Sequence, residues 1–169
     1  RPHIKTHKLN TLARRQIAAG AMGITCQKIS EAEAMIEGGG IEDVLLTYNV
    51  LGAEKLARLR ALAQRVRLTV VADNITVVKG LSAAFAGEPP LRVLVECDTG
   101  ANRCGVLTPE DAVELAAEIA ALPALRFDGF MTYPPAGKEA QVDAWLARAS
   151  ALASAAGNPA RVVSSGGSP

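Results

Sequence analysis

Aromatic side chains make up only 4% of this 169-residue sequence; histidine occurs twice and cysteine three times. The cysteines, Cys26, Cys97 and Cys104, are odd in number and lack the paired spacing of a zinc site. They read as reduced thiols of a cytoplasmic protein rather than a disulfide framework. Neither sign of charge dominates: 18 Lys and Arg stand against 17 Asp and Glu. A net charge of +1 gives no case for a nucleic-acid or anionic membrane surface. No apolar run approaches the roughly 20 residues of a membrane-spanning helix, and there is no secretory leader pattern. The sequence opens on Arg1 inside a predicted strand and closes in a glycine-rich loop, so we read it as part of a longer protein.

What is present is a 49% apolar sequence rich in Ala, Leu and Val, the composition of an α/β domain long enough to bury a sizeable core. We read residues 1–169 as one domain. Short Val/Ile/Leu-rich runs predict seven strands, at Pro2–Lys5, Gly23–Thr25, Asp43–Leu46, Arg67–Ala72, Arg92–Glu96, Phe127–Met131 and Arg161–Val163. Helices alternate with them. Thr108-Pro109-Glu110-Asp111 is a helix start with cap, proline and acidic first turn. Asp73 or Asn74 opens another helix, Asn10 or Thr11 another, and Ser30–Glu33 reads as a capping box. Regular βα alternation means a parallel sheet with right-handed crossovers. Of the two forms such a sheet takes, we favour the (β/α)8 barrel over the doubly wound sheet, here incomplete, with room for one further strand beyond Pro169.

In such folds chemistry sits at the carboxyl ends of the strands, and the unusual polar residues fall there. They are Lys5 and His7, Cys26 and Gln27, Tyr48 and Asn49, Asp73 and Asn74, Asp98 through Arg103, Tyr133, and Ser164 through Ser168. In Arg1-Pro2-His3-Ile4-Lys5-Thr6-His7-Lys8 a strand would put Arg1, His3, Lys5 and His7 on one face. Like charges and partial burial would then lower the lysine pKa and make Lys5 a nucleophilic amine. Ser164-Ser165-Gly166-Gly167-Ser168-Pro169 offers converging backbone N–H groups and hydroxyls suited to a phosphate. Arg103, in the segment Glu96–Val106, is expected to meet an anionic oxygen, because it would be costly to bury unpaired. A lysine amine, a phosphate cradle and an arginine suit pyridoxal phosphate. They equally suit a Schiff-base aldolase acting on a sugar phosphate, and residue chemistry alone leaves both open.

The octapeptide Arg1–Lys8 resembles the opening motif of the D-threonine aldolase and D-serine dehydratase family, fold-type III pyridoxal phosphate enzymes with an alanine racemase N-terminal barrel. Asp98-Thr99-Gly100-Ala101-Asn102-Arg103-Cys104-Gly105, Gly129-Phe130-Met131-Thr132-Tyr133 and Ser164–Ser168 are similar to three further family segments. The resemblance implies that Lys5 is the catalytic residue and forms the Schiff base with pyridoxal 5'-phosphate. It implies that Arg103 sits near the cofactor's phenolic oxygen and Tyr133 near its ring. Ser165, Gly166, Gly167 and Ser168 would hold the phosphate. His3, His7 and Tyr48 stand as candidate substrate contacts; no metal ligand is assigned in this sequence. It further implies a preceding helix, an eighth strand and a C-terminal β-domain outside this sequence. That domain would bring a divalent metal (Zn, Mn or Mg), and the full-length protein would be a homodimer. The implied reaction is cleavage of a D-3-hydroxy amino acid to glycine and an aldehyde. Alternatives within the same resemblance are a dehydratase, an amino-acid racemase, or a non-catalytic pyridoxal phosphate homeostasis protein.

Overall fold

A computed structural model describes residues 1–166. It divides into two compact units that part within one strand, Arg1–Val70 and the residues from Val71 onward. The first unit opens with a 3₁₀ turn, Ile4–Thr6, followed by α1 (Asn10–Ala18), β1 (Ile24–Cys26), α2 (Ile29–Glu37), β2 (Asp43–Leu46) and α3 (Ala53–Ala63). β3 (Arg67–Ala72) contains the division. The second unit continues with α4 (Ile75–Ala84), β4 (Leu91–Cys97), α5 (Pro109–Ala121), β5 (Leu125–Thr132), α6 (Glu139–Ala155) and β6 (Val162–Ser165).

The strands run parallel and follow one another in sequence order. In the first unit Ile24 pairs with Val44, and Val44 with Leu68. In the second Val93 pairs with Phe127 and Phe130 with Val163, with a register shift at Val93/Leu94. β1 and β2 are buried on both faces, which is why they read as unbroken apolar runs rather than alternating ones. Gly129 has φ +142°, and a Cβ there would lie 1.8 Å from the Val162 carbonyl oxygen. Only glycine lets β6 approach so closely.

Local chemistry explains most helix starts. Thr108 accepts the Asp111 N–H ahead of Pro109, and Asn74 accepts the Val77 N–H ahead of α4, both as expected from sequence. Two starts differ. α2 begins at Ile29 after an uncapped Lys28: Glu31 accepts the Gln27 N–H (3.0 Å), and Glu33, which would have closed a box with Ser30, is held by Arg58 instead. Asn10 lies inside α1, and its amide donates to the Met35 and Gly39 carbonyls (2.7 and 3.1 Å), tethering the end of α2.

The predicted strand Pro2–Lys5 is not a strand, which leaves six strands among the described residues. Only His3 forms a β-bridge, with Thr25. Pro2 has no N–H to give a ladder. Beyond it the His3 ring accepts the Lys5 N–H (3.2 Å), and the Ile4 carbonyl accepts from His7 (3.2 Å) and Lys8 (2.8 Å). These local bonds close a turn and end the alternation that would have put four basic side chains on one face.

Arg1 consequently takes a different direction from the rest of its segment. Its guanidinium pairs with Asp43, the first residue of β2, which also receives Arg67 Nε at 2.6 Å. Asp43 is 1% exposed. Burial alone would raise its pKa, but the hydrogen bonds and charges of Arg1 and Arg67 prevail and hold the carboxyl below its usual range. A depressed carboxylate stabilises the fold above the unfolded pKa of about 3.9, and that contribution fades as pH falls through the lower folded value. Replacing Asp43 by Asn should lower unfolding stability at pH 7 by about 3 kcal/mol and flatten its decline in acid. Urea titrations at pH 7 and below pH 4 check both, and an unchanged midpoint at pH 7 would refute the anchoring role.

Candidate active site

The lysine segment is built by the first unit. Pro2 accepts the Thr25 N–H (2.8 Å) and the Thr25 hydroxyl donates to the Arg1 carbonyl (2.8 Å). Ile4, fully buried, plugs the core, and Lys5 projects exposed from the next position. The partial burial expected for Lys5 is not found, because the 3₁₀ turn rotates it outward. His7 accepts the Leu9 N–H at Nδ1 (3.1 Å), so its neutral ring carries the proton on Nε2. That nitrogen is shielded from solvent and has no hydrogen-bond partner among the described residues. Lys8 adopts φ +51° and brings Nζ to 3.5 Å from Glu31. Tyr48 is 61% exposed and lines a 320 Å³ cavity with Gln27 and Asn49. His3, Lys5 and His7 do not line it.

The second unit presents Arg103. The loop after β4 is organised by one carboxylate: Asp98 accepts the backbone N–H of Gly100 (2.9 Å), Asn102 (3.1 Å) and Arg103 (3.1 Å). Burial pushes its pKa up, but these donors outweigh it and hold the carboxyl low. The loop closes where Val106 bridges Cys97. Gly105, at φ +113°, lies so close that a Cβ would sit 2.5 Å from the Asp98 nitrogen. The result places the Arg103 guanidinium 4.3 Å from the centre of the Tyr133 ring, a cation–π stack. Arg103 and Tyr133, both expected in the site, are thus brought together. Of the expected phosphate residues, Ser165 ends β6 and Gly166 follows it, both exposed; Gly167 and Ser168 lie outside the described residues.

Residue chemistry missed a carboxyl cluster beneath this loop. Glu96, 3% exposed, accepts from Cys104 Sγ at 3.0 Å, while Asp73 accepts the Gly105 N–H at 3.3 Å. An acid in the last turn of a Val/Leu strand was the available signal. Burial raises the Glu96 pKa, and the Asp73 charge adds to that against Cys104 and Arg103. The thiols are not nucleophiles at neutral pH: burial pushes Cys26 up to about 12, aided by Glu31, and raises Cys97 and Cys104 also.

Residues 1–169 match the alanine racemase N-terminal domain family, and the chain belongs to it. Its six parallel strands and alternating helices are therefore an incomplete barrel of that type. Among individual proteins, the structure of D-threonine aldolase from Filomicrobium marinum superposes with a TM-score of 0.92 at 38% identity, over 98% of this chain and 48% of that one. The 3-hydroxy-D-aspartate aldolase of Paracoccus denitrificans is 39% identical over 88% of this chain and 41% of its own length. The D-threo-3-hydroxyaspartate dehydratase of Delftia sp. is 29% identical over 100% and 48%. The chain thus spans less than half the length of these relatives.

A raised pKa means that Glu96 favours folding most in its protonated form. Its contribution is complete below the unfolded value of about 4.3 and is lost as pH rises through the higher folded value. Glu96→Gln keeps an acceptor for Cys104 without the charge. It should gain about 1 kcal/mol of stability at pH 7 and nothing at pH 4, as read by denaturant titration; equal effects at both pH values would contradict the assignment.

Proposed function

We propose that this chain is the cofactor-binding half of a pyridoxal phosphate-dependent lyase that cleaves a D-3-hydroxy amino acid to glycine and an aldehyde. The observation that carries the proposal is a projecting lysine in a segment whose relatives are named as aldolases of such amino acids. The donor set suits the group. Lys5 offers an exposed primary amine for an aldehyde, and Arg103 over Tyr133 suits a flat anionic ring. Gly166 has no described atom within 4 Å of where a Cβ would sit, leaving its backbone open beside the Ser165 hydroxyl.

In this reading Lys5 would hold the cofactor covalently at its aldehyde carbon, and its amine would also hold or move a proton at the substrate Cα. Arg103, fixed by Asp98, donates to the anionic ring oxygen and keeps it ionised, and Tyr133 positions the ring. Ser165, Gly166, Gly167 and Ser168 bind the phosphate. The cofactor, when bound, supplies a sink for the electron pair left on Cα. His3 and His7 are candidate contacts to the substrate; Tyr48, also expected there, lines a cavity that none of His3, Lys5 and His7 lines. A divalent metal that polarises the β-hydroxyl, and the second copy of a homodimer, belong to the longer protein. A dehydratase is the second reading, favoured by a match to the Delftia enzyme that takes in the whole of this chain.

Full-length protein supplied with pyridoxal phosphate should absorb near about 420 nm and gain a borohydride-stable mass adduct at Lys5. Lys5→Ala should lose both and lower kcat at least 10³-fold. Incubation with D-threonine should release glycine and acetaldehyde; ammonia and a 2-oxo acid instead would indicate the dehydratase. A Lys5→Ala protein that keeps the absorbance would remove the proposal.

A further inference from the structure

The cavity that contains Tyr48 is not explained by the lysine chemistry. Its residues all belong to the first unit and lie beyond the carboxyl ends of β1 and β2. Its floor is apolar and buried, made by Ile29, Leu46 and Val50. Leu46 pairs in register with Cys26, and Leu45 with Thr25. Side chains alternate along a strand, so Leu46, which meets α2 and α3 in this cavity, points away from the face that carries Thr25. The cavity is therefore on the helix side of β1 and β2, whereas the lysine segment runs alongside β1, bridged through His3 and Thr25.

Its rim is cationic. Lys28, Lys55 and Arg58 line it, and no Asp or Glu does. Arg58 is already held bidentately by Glu33, at 3.0 and 2.5 Å. Lys28 and Lys55 have no acidic partner among the described residues, so two positive charges face the opening uncompensated. Tyr48 meanwhile exposes 61% of its surface beside them. A buried apolar floor, an open aromatic ring and two unpaired ammonium groups form a complementary surface for one kind of molecule. That molecule has a flat or branched apolar body and a single anionic group. The volume of 320 Å³ suits a compound of small-ligand size.

We propose that this cavity is a binding site for a small aromatic or branched-chain carboxylate, separate from the lysine site. The apolar body lies on Ile29, Leu46 and Val50 against Tyr48, and the carboxylate meets Lys28 and Lys55. The site is mechanically tied to the lysine segment. Gln27, which lines it, gives its backbone N–H to Glu31, and Glu31 receives Lys8, three residues beyond Lys5.

Phenylacetate and its neutral amide, phenylacetamide, are the probes, titrated calorimetrically into the full-length protein. Phenylacetate is expected to bind with Kd of about 1 mM or below, and phenylacetamide at least tenfold more weakly. The double variant Lys28→Gln/Lys55→Gln, altered only at exposed positions, should lose at least tenfold for phenylacetate while its affinity for phenylacetamide stays the same. Tyr48→Ala should weaken both. No binding of phenylacetate at about ten times that concentration, equal affinity for acid and amide, or undiminished affinity in the double variant would each overturn the proposal. The readout does not involve turnover, so it stands or falls independently of the reaction assigned to Lys5.

Discussion

A buried carboxylate holds the start of this chain in place. Asp43, at the head of β2, is nearly devoid of solvent and would be costly to bury unpaired. It is paired twice, by Arg67 from the neighbouring strand and by Arg1 from 42 residues away. Gly23 makes this possible, since a Cβ at that position would sit 2.5 Å from the Asp43 carbonyl oxygen. Once Arg1 is held, Pro2 and His3 lie against Thr25 and Ile4 drops into the core. The position of Lys5 follows from these constraints, none of which involves its own side chain. The amine role proposed for Lys5 needs such support: its side-chain contacts would be exchanged during chemistry, so its backbone cannot depend on them.

The second unit solves the same problem with a different use of a carboxylate. Asp98 gathers three backbone N–H groups, fixing a loop rather than a strand end, and its acidity is held by those donors rather than by a cation. Glu96, two residues earlier, is the contrasting case. It is nearly as buried as Asp43 but is hydrogen-bonded to a thiol and faces a second carboxyl, with the Arg103 charge too weak to offset its burial. Its balance therefore tips toward protonation while that of Asp43 tips away. Three acids of similar intrinsic strength thus take three roles according to what each faces: strand anchor, loop organiser and a buried acid whose burial outweighs its partners.

Much of this was legible in the sequence wherever local chemistry and tertiary demand agree. β2 and β3 fall where their apolar runs predict, and the caps at Asn74 and Thr108 form as their side chains dictate. β4 and β5 extend a residue or two beyond the predicted limits, because Cys97 and Thr132 continue the pairing through polar-tolerant positions. The opening segment misleads for a physical reason. Alternating basic residues imitate a strand, yet a proline without an N–H and a histidine able to accept one favour a turn. Asn10 and Glu33 mislead similarly: both suit a helix start, and both are drawn off by partners distant in sequence. Arg103 was expected near an anionic oxygen. Its backbone meets Asp98, but its guanidinium lies on the Tyr133 ring, a pairing between residues 30 apart that no local pattern encodes.

The named reactions of the relatives differ in which bond at the substrate breaks, carbon–carbon in the aldolases and carbon–oxygen in the dehydratase. All three proteins match this same stretch of chain. The fold they share over this stretch does not by itself distinguish the reactions; in the proposed reading the orientation of the substrate does. Only a bond aligned with the electron sink is weakened when charge develops. In that reading Lys5 on its turn, Arg103 on a carboxylate-pinned loop and the Gly166 end of β6 fix the ring in space. In the proposed reading, selection between the two reactions therefore rests on whichever groups hold the β-hydroxyl.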